Sequence, residues 1–150
     1  MINCEFENGN KASLRHVTAD NLVIKDNKIL LVKRAERLLE GGKWSLPGGF
    51  VDRDETIKEA VAREIMEETG YEVEGITLLR VIDAPNRRND DRQNITFVHF
   101  CTAREKVGEA DDESEQQQWF LLAELPPARE IAFDHMDFIN LYKTLIKQKL

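Results

Sequence analysis

Glu64, Glu67 and Glu68 are spaced so that, on a helix, their carboxylates share one side. Each helical residue advances about 100°, which sets the three at roughly 0°, −60° and +40°, an arc of about 100°. Val61, Ala62, Ile65 and Met66 fill the arc that follows and supply an apolar stripe able to pack on a sheet. Three carboxylates crowded together repel one another unless a cation neutralises them or one keeps its proton. Hard oxygen ligands suit Mg²⁺ or Mn²⁺, whereas zinc more often recruits His or Cys. A divalent-cation site beside a buried helical face is therefore the chemistry these residues offer, with a solvated acidic face as the alternative.

The flanking residues favour the site. Gly49 precedes Glu55, Glu55 precedes Arg63-Glu64, and the run continues Ile65, Met66, Glu67, Glu68, Thr69, Gly70 and Tyr71. At these spacings the segment resembles the Nudix box, departing from it mildly at Tyr71, where the pattern prefers an aliphatic residue. The resemblance implies an α/β fold, a Nudix-type helix-sheet-helix sandwich with a mixed β-sheet. It implies hydrolysis of a pyrophosphate bond with Mg²⁺, or Mn²⁺, as cofactor. It further implies that Glu64, Glu67 and Glu68 bind the metal, that the Gly49 carbonyl adds a ligand, and that Arg63 and Glu55 support loop and helix through an ion pair. Gly48 and Gly49 lack side chains, so the backbone there can turn sharply and approach a metal or phosphate. The general base is Glu64 or Glu67 on the helix, or an acid on a later loop; Glu113 and Glu115, just before Trp119, are candidates for that base or for an additional metal ligand.

Substrate recognition must come from elsewhere in the chain. Arg87, Arg88 and Arg92 crowd one loop of an otherwise acidic protein, and guanidinium groups pair bidentately with phosphate oxygens. The stretch from Pro85 to Arg92 is loosely similar to the arginine-containing loop of ADP-ribose pyrophosphatases, and Ala132-Phe133-Asp134-His135 is similar to a segment of ADP-ribose-type and related Nudix proteins. Trp44, Phe50 and Phe133 stand near expected loop ends, where an aromatic ring can stack on a base or pack in the core, and Phe133 joins the arginines as a substrate-binding candidate. His16, His99 and His135 form no metal-ligand constellation and are given no catalytic role. The resemblance implies ADP-ribose or a nucleoside diphosphate sugar as the preferred substrate. The alternatives are a nucleoside triphosphate pyrophosphohydrolase and a non-catalytic nucleotide-sensing domain; a purely structural acidic helix would leave the box unexplained.

These residues need particular elements to position them. Val17 to Lys25 and Lys28 to Lys33 read as strands of a hairpin turning at Asp26-Asn27. A loop with Gly41 and Gly42 follows, and Trp44 to Gly49 is punctuated by a proline and two glycines. The box helix is expected over roughly Thr56 to Thr69, stopped at Gly70. Ile76 to Ile82 and Asn94 to Thr102 read as strands joined by the polar loop Asp83 to Gln93. Glu105 to Gln118 reads as an acidic polar segment, followed by the short apolar run Trp119 to Leu122. A last helix spans Asp134 to Lys147, with Asp134 as its N-cap.

Composition bounds the rest. The 150 residues suit a single domain over 1–150, with 41% hydrophobic and 33% charged residues in an ordinary globular balance. A formal net charge of −7 argues against a nucleic-acid partner and requires that an anionic substrate be held by local cations or metal. Cys4 and Cys101 suggest neither a disulfide framework nor a zinc site. No secretory signal or membrane-spanning stretch is visible, so no membrane partner is expected and a cytoplasmic location is the default. A small-molecule nucleotide is the expected partner, and a homodimer stays open.

Overall fold

In the computed structural model, which describes residues 1–88 and 90–148, the chain runs β1 (Ile2–Glu5), β2 (Lys11–Leu14), β3 (Val17–Lys25), β4 (Lys28–Arg34), β5 (Trp44–Ser45), β6 (Gly48–Phe50), α1 (Ile57–Thr69), β7 (Tyr71–Ile82), β8 (Ile95–Lys106), β9 (Ser114–Leu121) and α2 (His135–Lys147). Asp26 and Asn27 turn β3 into β4 with φ of 50° and 59°, the left-handed pair that a two-residue hairpin loop requires. The main sheet orders its strands β5-β4-β3-β8-β7, with β6 on β3 and β9 on β4. Since β3 and β8 pair in parallel and β4 and β7 join antiparallel, the sheet is mixed, as expected.

Both faces of that sheet are covered, which explains why the middle of β3 and β4 reads as a continuous buried run. Ala19 and Val23 point to one face and pack with Val61 and Ile65 of α1. Leu22 points to the other and packs with Phe138, Ile139 and Tyr142 of α2. Thr56 caps α1 in a reciprocal box with Glu59, and Gly70 ends it at φ 73°.

The β3–β4 pairing registers only from Val23–Leu30 to the turn. Beyond it the strands diverge, and the segment Trp44 to Phe50 is inserted between them: β6 pairs with Thr18 to Asp20, and β5 with Val32 and Lys33. At the fork Asn21, fully buried, supplies its backbone N–H (3.0 Å) and side-chain Nδ2 (3.2 Å) to the Pro47 carbonyl. This wedge carries Gly48 and Gly49 to the end of the sheet where the cleft opens.

Three local expectations are corrected. The hairpin of β1 and β2 was not anticipated because its residues lack an alternating apolar face and are largely exposed. Most of β9 falls in what reads as a polar segment; Ser114 to Leu121 pairs along the whole of β4 because the ladder uses backbone groups, while Glu115, Gln116 and Gln118 stay exposed. Asp134 is the N-cap residue of α2 by position, as expected, but its side chain makes no capping hydrogen bond. Its carboxylate is engaged by arginines instead.

Candidate active site

One cavity of about 330 Å³ opens between α1, the β6 wedge and the start of α2, a volume in the usual range for a small ligand. Its acidic wall comes from α1. Glu64 and Glu68 have little exposure while Glu67 is half exposed, so the arc expected from helical spacing is realised with one edge in solvent. Gly48 N–H donates to Glu68 Oε2 at 3.3 Å. Burial, reinforced by the neighbouring Glu64 carboxylate, pushes the Glu68 carboxyl well above the ordinary carboxylate range, and burial raises Glu64 as well.

Arg63 organises this wall. Its Nε and Nη2 grip both oxygens of Glu55 at 3.0 and 2.7 Å, while Nη2 also donates to the Phe50 carbonyl at 3.0 Å. Its Nη1 donates to Glu64 at 2.8 Å and Glu67 at 3.0 Å. Glu55 is held down to about 2, first by the Arg63 hydrogen bonds and then by the Asp52 N–H. Helix and wedge are thereby fastened through one guanidinium.

Whether these residues fit a divalent cation is a matter of donor chemistry more than of finished geometry. Among the described residues no group of three or more His, Cys, Asp or Glu converges as a metal site, because Arg63 draws Glu64 and Glu67 to itself. The donors on the wall are nevertheless all hard oxygens. A Cβ added to Gly49 would meet the Glu64 carboxylate at 2.5 Å, so only glycine lets the backbone close on that acid. The upward shift of Glu68, set first by burial and then by the Glu64 carboxylate, marks an acid whose charged form a cation would stabilise.

The loop before β9 contributes Asp111 and Glu113 to the cleft. Asp111 N–H donates to the Glu67 carbonyl at 2.8 Å, and Val107 and Gly108 donate to the Gly70 carbonyl, which pins the loop to the end of α1. Glu115 is not among the cleft residues; its carboxylate accepts from the Glu36 N–H at 3.1 Å.

The opposite wall is built where α2 begins. Ala132 N–H donates to the Trp44 carbonyl (2.7 Å), and Leu46 N–H donates to His135 Nδ1 (3.0 Å), so Ala132 to His135 are docked on the wedge. The other ring nitrogen, Nε2, faces Asp20 Oδ2 at 3.6 Å. Arg88 bonds Asp134 through Nε at 2.8 Å and reaches Asp20 Oδ2 at 3.4 Å. Burial alone would raise the Asp20 carboxyl, but His135, Arg88 and Arg87 outweigh it and hold it at about 2.

Of the three loop arginines, Arg88 and Arg92 line the cleft. Arg87 lies behind it, bonded to Thr96 Oγ1, paired with Asp134 at 3.4 Å and set over the Phe138 ring. Asn89, between them and Arg92, lies outside the described residues. Phe133 lines the cleft with φ 54°, its N–H held by Glu40 Oε2 at 2.7 Å, and the Arg34 and Arg88 guanidiniums lie 5.1 and 4.6 Å from its ring centre. Asp20, Arg34 and His135 were missed in the sequence. The available signal was the polar pair Asp20-Asn21 inside the apolar run of β3.

A Nudix-type fold with an acid-lined cleft defines the class, and comparison with known proteins agrees. The model of the NUDIX domain matches residues 14–142. An ADP-ribose pyrophosphatase of Methanocaldococcus jannaschii is 40% identical over 129 residues, 84% of this chain and 72% of that protein. A MutT NUDIX hydrolase from Burkholderia pseudomallei superposes with a TM-score of 0.67 at 32% identity, covering 86% of this chain and 98% of the other. The NUDIX domain of Shewanella oneidensis NrtR, solved in complex with ADP ribose, gives a TM-score of 0.74 at 25% identity, with 90% of each chain covered. The chain belongs to the NUDIX family and is a Nudix hydrolase. Hydrolases of this family generally use divalent metal ions. Among the described residues no helix is long and apolar enough to cross a membrane.

Proposed function

We propose that the chain hydrolyses the pyrophosphate bond of a nucleoside diphosphate derivative, with ADP-ribose or a related nucleoside diphosphate sugar as preferred substrate and Mg²⁺ as cofactor, Mn²⁺ substituting. The observation that carries this reading is one cleft with an oxygen-donor wall, Glu64, Glu67 and Glu68, facing a wall that bears Arg34, Arg88 and Arg92. The archaeal relative named as an ADP-ribose pyrophosphatase and the NrtR domain bound to ADP ribose support the choice of nucleotide.

In this reading Glu64, Glu67, Glu68 and the Gly49 carbonyl hold the cation, with Glu113 as a further acid on the same wall. When bound, a divalent cation offsets the charge of a pyrophosphate and lowers the pKa of a water molecule. Arg63 holds Glu64 and Glu67 on one guanidinium, and its hydrogen bond to the Phe50 carbonyl keeps the wedge against α1. Arg92 offers its guanidinium to a phosphate, while Arg88 is oriented by Asp134. A carboxylate of the acid wall, on α1 or at Glu113, takes the proton of the attacking water. The chain's negative charge gives a polyanion little reason to bind outside this cleft.

Turnover of a small nucleotide panel with Mg²⁺ present or chelated, with products separated, tests the proposal. The expected result is Mg²⁺-dependent release of AMP and ribose 5-phosphate from ADP-ribose, at a kcat/KM above that for any nucleoside triphosphate. Preferential release of inorganic pyrophosphate from a triphosphate would overturn the substrate assignment. Tight nucleotide binding without metal-dependent cleavage across the panel would replace the enzyme by a sensor.

A further inference from the structure

Asp20 has no part in the metal-binding wall, yet it is an ionised carboxylate 7% exposed on the floor of the catalytic cleft. An ionised carboxylate only accepts hydrogen bonds and repels phosphate. Among the described residues its partners, Arg88 Nη2 and His135 Nε2, both face Oδ2, leaving Oδ1 for whatever enters the cleft. Arg88 is held beside it by Asp134, through Nε at 2.8 Å and Nη2 at 2.6 Å. Thr18 and Asn94, both buried and polar, line the same floor. This end of the cleft therefore mixes acceptors and donors, unlike a phosphate site, which is built from donors alone.

A nucleobase is the other ligand group with a mixed edge, and it would need an aromatic face to stack on. Two phenylalanine rings line the cleft. Arg34, Arg88 and His135 already lie against Phe133, with the His135 ring 5.4 Å away, and the His16 ring lies 5.0 Å from that of Phe50. A vicinal diol matches what remains: each hydroxyl can donate to a carboxylate oxygen and accept from a guanidinium N–H.

We propose that Asp20 and Arg88 form a subsite for the vicinal hydroxyls of a sugar flanking the pyrophosphate, so that Asp20 makes the enzyme selective for sugar-bearing substrates. The inference rests on the pyrophosphatase reading and deepens it. The sugar is either the distal one or the ribose of the nucleoside.

Three ligands separate these cases: ADP-ribose, ADP methyl ester, which lacks the distal sugar, and the 2′-deoxyadenosine analogue of ADP-ribose, which lacks the nucleoside diol. Asp20→Asn should lower kcat/KM for ADP-ribose about ten- to a hundredfold, the scale of a lost hydrogen bond to a charged acceptor. That penalty should shrink at least fivefold for the ligand whose diol is missing, which identifies the sugar. Arg88→Lys, which retains the positive charge beside Asp20 and Asp134, should show relief on the same ligand and gives the answer if Asp20→Asn does not fold. An equal penalty on all three ligands would reduce Asp20 to a structural counter-charge and overturn the proposal. So would Asp20→Asn acting within twofold of wild type on ADP-ribose. Calorimetric titration of the same ligands without divalent metal reads the subsite independently of turnover. Absence of cleavage would thus sink the pyrophosphatase reading, whereas wild-type affinity that ignores both diols would sink the subsite.

Discussion

Glu68 sits 7% exposed on α1 with Glu64 beside it and one backbone N–H for a partner. A carboxyl raised by folding binds its proton more tightly in the folded chain than in the unfolded one. Metal-free protein should therefore lose stability as pH rises past the unfolded value of 4.5. Glu68→Gln keeps the shape and removes the charge. In chelator at neutral pH the variant should melt higher than wild type, and Mg²⁺ should raise its melting temperature less. Turnover at saturating Mg²⁺ should fall on the order of a hundredfold or more, the scale of losing a preorganised charge at a reacting group. Near-wild-type turnover would remove Glu68 from the metal site. An unchanged melting temperature in chelator would show that the buried charge costs nothing.

The wedge from Trp44 to Phe50 is the element that brings the two walls together, and its two glycines have different tasks. A Cβ on Gly49 would meet the carboxylate of Glu64, the mobile end of a side chain that can swing away. A Cβ on Gly48 would collide with the Ala19 carbonyl oxygen and come within 3.0 Å of Asp20 Cα, both backbone atoms of central strand β3. Gly49→Ala should thus leave stability within about 1 kcal/mol and cut turnover by displacing Glu64, whereas Gly48→Ala should cost about 1–3 kcal/mol as overpacking does. Urea melts and steady-state rates on both variants check this, and equal stability losses would refute the division. The α1 acids were legible in the sequence because helical spacing is local: residues three and four apart must share a side. Arg88 was legible as a cation of the arginine-rich loop, but its meeting with Asp20 and His135 was not, because the three come together only through the β3–β8 pairing and the docking of α2 on the wedge. Their sequence separations, 68 residues between Asp20 and Arg88 alone, leave no periodicity to read. The strand β9 escaped for a related reason, since its place is set by the ladder of β4 and not by its own apolar pattern.

At the scale of the whole molecule the sheet is a partition. Side chains of β3 alternate across it, Ala19 and Val23 toward α1 and Leu22 toward α2, so the two buried clusters are separate. The acid wall depends on how α1 sits and the Asp20 end of the cleft on how α2 sits, and each helix is anchored by a fully buried isoleucine, Ile65 and Ile139. Removing one methylene from either should cost about 1 kcal/mol, which for a domain of this size lowers the melting temperature by about 2–4 °C. If the sheet insulates the two faces, Ile65→Val and Ile139→Val should add in the double variant to within about 0.5 kcal/mol, as distant sites without shared partners do. The kinetic effects should divide likewise, Ile65→Val acting on kcat through the acids of α1 and Ile139→Val on KM through the segment that carries Phe133 and His135. Denaturant melts of the two single variants and the double variant, with steady-state rates on ADP-ribose, measure both. A coupling energy above 1 kcal/mol would mean that strain crosses the sheet and that the two walls of the cleft move together.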